Sequence, residues 1–253
     1  PVSLFLRLAV PADPVKDAEL LRKHGFKPAP VYGSQLQTAA LPAAKPEADL
    51  VIDWEPVQET LGDRTVVELR KPEYRIENPN YGPMPSNLLV SPRVAPQMIG
   101  MGLLEAIPIA DLEALADPED TDNNGISGKL NQVWDVASQQ TLPGRFGWKA
   151  NAPTLRTQGA GAALGDMGLT SPILTEDLCE DVQKDCQVAL RKAANMGVQP
   201  EIIDSFFTPL ALYMQLLAVP KQRDSQNAAV QRGEIWFRSV GCSGCHMPTL
   251  ITG

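Results

Sequence analysis

The feature that most constrains this chain is Cys242-Ser243-Gly244-Cys245-His246. Two thiols separated by two residues can form thioethers to the two vinyl groups of a haem, and the residue that follows then stands on the proximal side of the iron. The rival chemistries need other surroundings. A redox dithiol follows a strand in a βαβ unit, whereas the chain from Ala228 reads as a helix; a structural zinc site needs partners that only Cys179 and Cys186 could supply. Covalent haem c, held by Cys242 and Cys245 with His246 on the iron, is the cofactor expected here. Met247 is too close in sequence to reach the opposite haem face. Seven residues follow His246, too few to complete a c-type domain, so the motif is expected to open a domain that continues beyond Gly253.

The charge excludes one class of partner. With 30 acidic against 22 basic residues the formal charge is -8, which repels phosphate backbones and predicts no nucleic-acid binding. An acidic surface suits solubility, and it also suits a basic redox partner. No run approaches the roughly 20 apolar residues of a membrane helix, and Pro1-Val2-Ser3 shows no leader signature. Haem c attachment and the second cysteine pair both fit an oxidising compartment, so a periplasmic or otherwise exported protein is expected, its signal peptide lying outside this segment. If Cys179 and Cys186 bridge, a continuous helix between them is excluded, because seven helical residues separate the α-carbons by about 10.5 Å.

Periodicity divides the chain. Leu4 to Val10, Leu50 to Trp54 and Thr65 to Leu69 read as strands, the last two as a hairpin. Pro28 to Pro46 reads as an extended excursion. Ile109 to Ala116 reads as a helix. Ile202, Phe206, Leu210, Tyr213 and Leu217 fall on one helical face, interrupted by Pro209. Lys221 to Asn227 is a polar linker. His24, in a basic patch, reads as a solvated surface residue, with haem ligation as the alternative.

Three further groups carry possible chemistry. Asp120, Asp122 and Asn124 stand at positions 1, 3 and 5 of a calcium-type loop with Gly125 at 6, which would place the Ile126 carbonyl at 7 and Asn131 at 12. The alternative is an Asx-rich turn, and Asp135 downstream is a candidate for the missing carboxylate. Glu105 reads either as a capping carboxylate or as a general acid near a haem. Met167, flanked by glycine, reads either as packing or as a soft axial ligand.

The ordering of these motifs resembles the bacterial di-haem oxidoreductase family, a peroxidase group also described as thiol oxidoreductases. The resemblance rests on Val31-Tyr32-Gly33, Ser91 to Pro96, Gly102 to Ile107, the Asp-rich loop, Phe146-Gly147-Trp148-Lys149 and Gly241 to Thr249. It implies two haems in the intact protein, the first attached before Pro1, with Met167 as its distal ligand. Trp148 then stands either on the electron path or in a packed core. The expected fold is mainly α: cytochrome c-like haem domains with a β-rich N-terminal insertion. Residues 1–225, with an insertion over about 1–80, would belong to the first haem domain, and 226–253 would start the second. The implied activity is reduction of peroxide, or another small substrate, with electrons from a redox protein or a small donor. The alternative is a non-catalytic electron-transfer cytochrome.

Overall fold

The computed structural model describes residues 4–253. The elements run β1 (Leu4–Ala9), α1 (Ala18–His24), β2 (Asp49–Thr60), β3 (Val66–Glu77), β4 (Leu89–Val94), α2 (Met101–Glu105), α3 (Ile109–Ala114), β5 (Gln132–Asp135), β6 (Gln140–Pro143), α4 (Leu155–Met167), α5 (Lys184–Asn195), α6 (Asp204–Leu216) and α7 (Ala228–Ser239), then a 3-10 turn over Cys242–Gly244. They form two compact units. The first holds the described part of Pro1–Leu21 with Phe26–Ala95 and Asp177–Gln199, the second Arg22–Gly25, Pro96–Glu176 and Pro200–Gly253.

In the first unit β1 pairs antiparallel with β4, bringing Leu6 opposite Pro92 and Leu8 opposite Val90. Alternation turns Leu6 and Leu8 inward, where they meet Val10, Ala29, Tyr32, Leu36 and Ala48. β2 and β3 form a long hairpin in which Leu50 faces Ile76 and Ile52 faces Tyr74. Its base packs on that core through Leu50, Tyr74 and Ile76, while Trp54, Leu61, Val66 and Leu69 farther out are exposed. Pro56 and Pro72 remove donors from the two strands, and Lys71 pairs with Glu55, so both edges resist further strand addition.

The segment carrying α5 attaches to this unit through polar groups. The buried Gln183 donates through Nε2 to Glu47 Oε1 at 2.7 Å and to the Val31 carbonyl at 3.2 Å. The Tyr81 hydroxyl donates to Asp185 at 2.8 Å, and the Lys45 N–H donates to Asp185 Oδ2, also at 2.8 Å. No residue of α5 is buried.

In the second unit α4 packs on α6 through Ala160, Ala163, Phe207 and the neighbouring Ile202. Phe146, Ala152 and Leu155 form a smaller cluster with Met98 and Met101. α2 reaches α6 by backbone approach: a Cβ on Gly102 would stand 2.0 Å from the Gln215 carbonyl oxygen, so only glycine fits. The β5–β6 ribbon brings the buried Asp135 to accept from Thr157 Oγ1 at 2.6 Å and from the Ser138 N–H at 3.0 Å.

The mainly α expectation is wrong. The chain is 28% helical and 20% strand, and its strands lie in several small sheets. A haem motif is local and sets the surroundings of one turn only, whereas the β-branched and aromatic residues of 49–77 pair over twelve residues on each side. The α6 stripe also shifts. Phe207, Ala211 and Met214 are its buried residues, whereas Phe206 and Tyr213 are 62% and 61% exposed. A helix that is apolar nearly all round leaves its rotation to its partner, here the small residues of α4.

Candidate functional site

The last helix delivers the thiols to one turn. Asn227 caps α7, its Oδ1 accepting the Ala229 N–H at 2.8 Å. Gly241 at φ 88° ends the helix, a conformation that glycine adopts without a Cβ penalty. The chain then folds on itself, so that the His246 N–H donates to the Cys242 carbonyl at 2.9 Å. Both Cys242 and Cys245 are unbridged thiols, the first half-buried and the second exposed. The imidazole of His246 is exposed, and the Phe237 ring stands 5.7 Å from it, tilted by 57°.

Around this turn apolar side chains are left in solvent. Ile235, Trp236 and Val240 are each about two-thirds exposed, and Phe237, Met247 and Ile251 are exposed as well. A large apolar group held by the two thiols would cover surface that is otherwise costly to leave wet.

Family membership follows from a comparison along the chain. The family model described as "Di-haem oxidoreductase, putative peroxidase" matches residues 4–253. The chain belongs to the di-haem oxidoreductase family. No curated protein and no solved structure matches it. Membership in the di-haem oxidoreductases gives this chain haem cofactors and a haem-based redox role. The donor set agrees: two thiols and an imidazole on one turn, under exposed apolar residues, fit a covalently held haem.

The other residues singled out in the sequence are scattered over both units. Glu105, at the end of α2, has both oxygens engaged: Oε1 accepts the Leu155 N–H at 2.7 Å and Oε2 accepts Gln215 Nε2 at 2.6 Å. With the Thr154 hydroxyl, which accepts the Thr157 N–H, it caps the start of α4 and ties that helix to α6. Met167 ends α4 at 63% exposure, before Gly168 at φ 67°. Trp148 is also exposed. Cys179 and Cys186 are joined in a disulfide with their α-carbons 6.0 Å apart. Loop precedes α5 there, so the bridge spans no continuous helix.

The Asp-rich loop gathers carboxylates that spacing alone did not bring together. Ligand oxygens of Asp117, Asp120 and Asp122 lie within 4.8 Å of one another. Asp120 Oδ1 accepts the Asn124 N–H at 2.9 Å, and Asn124 Oδ1 accepts the Ile126 N–H at 2.7 Å. Asn131 gives its side-chain amide to the Lys149 and Ala150 carbonyls. Asp135 is buried against Thr157 and Ser138 instead. Asp117 was the residue missed; it lies three positions before the first loop position. The Thr121 N–H, donating to its carboxylate, holds its pKa below the usual range.

Proposed function

We propose that this chain carries a haem c through Cys242 and Cys245, that His246 ligates its iron, and that the intact enzyme reduces peroxide. The observation that carries this reading is the pair of unbridged thiols on one turn with an imidazole, beside apolar side chains left in solvent. A bound haem supplies one-electron transfer and a centre at which peroxide can be reduced. Phe237 limits the swing of the His246 ring. Met167 offers a thioether from the exposed end of α4 as distal ligand of a further haem, and Trp148 offers an aromatic ring for electron transfer. Glu105 holds the α4 terminus and α6 through its hydrogen bonds, so acid catalysis by it requires giving one of them up.

On this reading residues 226–253 open the second haem domain, and the preceding residues serve the first. Maturation takes place in an exported compartment such as the periplasm, where the Cys179–Cys186 disulfide persists. Electrons come from a redox protein or a small donor. Calcium binding at Asp117, Asp120 and Asp122 is a separate reading, motivated by the convergence of their carboxylates. Calcium at about 1 mM should then raise the melting temperature, and Asp122→Asn should abolish the rise.

The test of the main reading is the whole protein produced with haem c maturation. Haem should remain on the denatured chain, and the Cys242→Ala/Cys245→Ala variant should lose the haem held there. A high-spin, five-coordinate iron that consumes peroxide supports the enzyme. Low-spin haems that ignore peroxide would assign an electron carrier instead.

A further inference from the structure

The attachment turn has little of its own to fix its position. Neither α7 nor the 3-10 turn contains a buried residue, and His246 is exposed. Contacts with distant sequence tie this end of the chain to its unit, two of them close. The Gly253 N–H donates to the Ala106 carbonyl at 3.0 Å, and Gly244 lies against Ile126. A Cβ on Gly244 would stand 2.7 Å from Ile126 Cδ1. Gly244 is not one of the glycines with positive φ, so its backbone does not demand glycine; what a larger side chain there would have to displace is the end of the Ile126 side chain. Ile126 is itself well held. Its N–H donates to Asn124 Oδ1 at 2.7 Å, and Asp120 takes the N–H groups of Asn124 and Gly125. A tightly hydrogen-bonded loop thus presents one half-buried aliphatic side chain to the turn.

We infer that Ile126 is a positioning residue for the haem held at Cys242, Cys245 and His246, and that residues 117–128 form the seat on which the attachment turn rests. The inference rests on the attachment reading above. Thioether formation uses the two thiols and the imidazole, and leaves position 244 free to vary. Harm from filling that position must therefore come through its neighbour. A methyl group there can be met by rotation of Ile126 Cδ1, so valine is the sharper probe.

The experiment compares the matured whole protein with Gly244→Val, Ile126→Ala and the double variant. Covalent haem, the midpoint potential of the haem at His246, and the rate of protease cleavage within residues 117–128 are read in each. All four should retain covalent haem. Gly244→Val should shift that potential and speed loop cleavage by about tenfold, because the loop opens more often. In the Ile126→Ala background the same substitution should add nothing, the coupling expected of residues in contact. A wild-type potential and cleavage rate in Gly244→Val, or independent addition of the two changes, overturns the inference. Should Gly244→Val fail to accumulate, Ile126→Ala decides alone, and an unchanged potential overturns the seat. A wild-type chain without covalent haem would overturn the attachment reading as well, whereas normal attachment with a silent Gly244→Val overturns the seat alone.

Discussion

The two units bury their apolar residues in different arrangements, one cluster against two. The first closes around Leu6, Leu8, Val10, Tyr32 and Leu36, with Tyr74, Ile76 and Tyr81 packed against them. The second splits its core into two small clusters and leaves Trp148, Met167, Phe206, Tyr213, Leu216 and Trp236 exposed. Hydrogen bonding does not separate them, since no described buried side-chain polar atom lacks a partner. Both units also leave large apolar side chains in solvent, among them Trp54, Leu69 and Met196 of the first, but only the second carries unbridged thiols at which a haem could cover some of them.

The sharpest test of this contrast lies within α6. Phe207 is fully buried, and Phe207→Ala should cost about 3–5 kcal/mol in urea unfolding. Its neighbour Phe206 is 62% exposed, so Phe206→Ala should cost at most about 0.5 kcal/mol in the haem-free protein. A larger loss from Phe206→Ala once haem is bound would sharpen the contrast, and equal losses without haem would break it.

The first unit is also closed by a covalent link, where the second has free thiols. Cys179 and Cys186 close a short loop, and Cys179→Ser/Cys186→Ser should lower stability by about 2–3 kcal/mol on the chain-entropy account. Because α5 buries no residue, exchange of its amides should rise with the loss of the bridge. Unchanged protection would mean that Gln183 and Asp185 hold the helix unaided.

Glu105 joins three helices of the second unit. Glu105→Ala leaves the Leu155 N–H and the Gln215 amide without that acceptor, at about 1–3 kcal/mol in denaturant unfolding. Peroxide turnover that falls in proportion to folded protein would assign Glu105 to structure. A loss of turnover in fully folded protein would assign it to proton transfer.

The smallest effect is a pH dependence of opposite sign in the two units. Burial raises the pKa of Glu47 above 4.5 despite hydrogen bonds from Gln37 and Gln183. A folded-state value above the unfolded one means that its stabilising contribution is full below pH 4.5 and is lost as pH rises through the raised value. Burial also pushes Asp135 upward, but hydrogen bonds from Thr157 and Ser138 outweigh it and leave its pKa below 3.8. Its contribution is present above pH 3.8 and is lost as pH falls through the lowered value. Melting curves of Glu47→Gln and Asp135→Asn across acid pH should each remove one of these slopes. The same slope from both variants would break the contrast.

Much of the local structure was legible. The strands that contain Leu4, Leu50 and Val66 announce themselves by alternation, and the end of the polar linker at Asn227 marks the helix that approaches the thiols. α4 is far less visible, because Gly159, Gly161 and Gly165 interrupt it and its polar and apolar residues are not sorted onto faces. The carboxylate cluster was half legible: spacing finds Asp120 and Asp122, but Asp117 joins them only because the chain turns back at Thr121.

The sequence by itself supplied the motif on which the proposed haem attachment rests, because two thiols and an imidazole within five residues need no distant partner to be recognised. It also determined the hairpin and the terminal helix, since periodicities of two and 3.6 are local properties. Only the tertiary structure decided that Asp177–Gln199 belongs with the N-terminal strands, which face of α6 is buried, and that Ile126 meets Gly244. Each depends on contacts between residues far apart in sequence, and such pairings are set by shape and polar satisfaction, which no local pattern encodes.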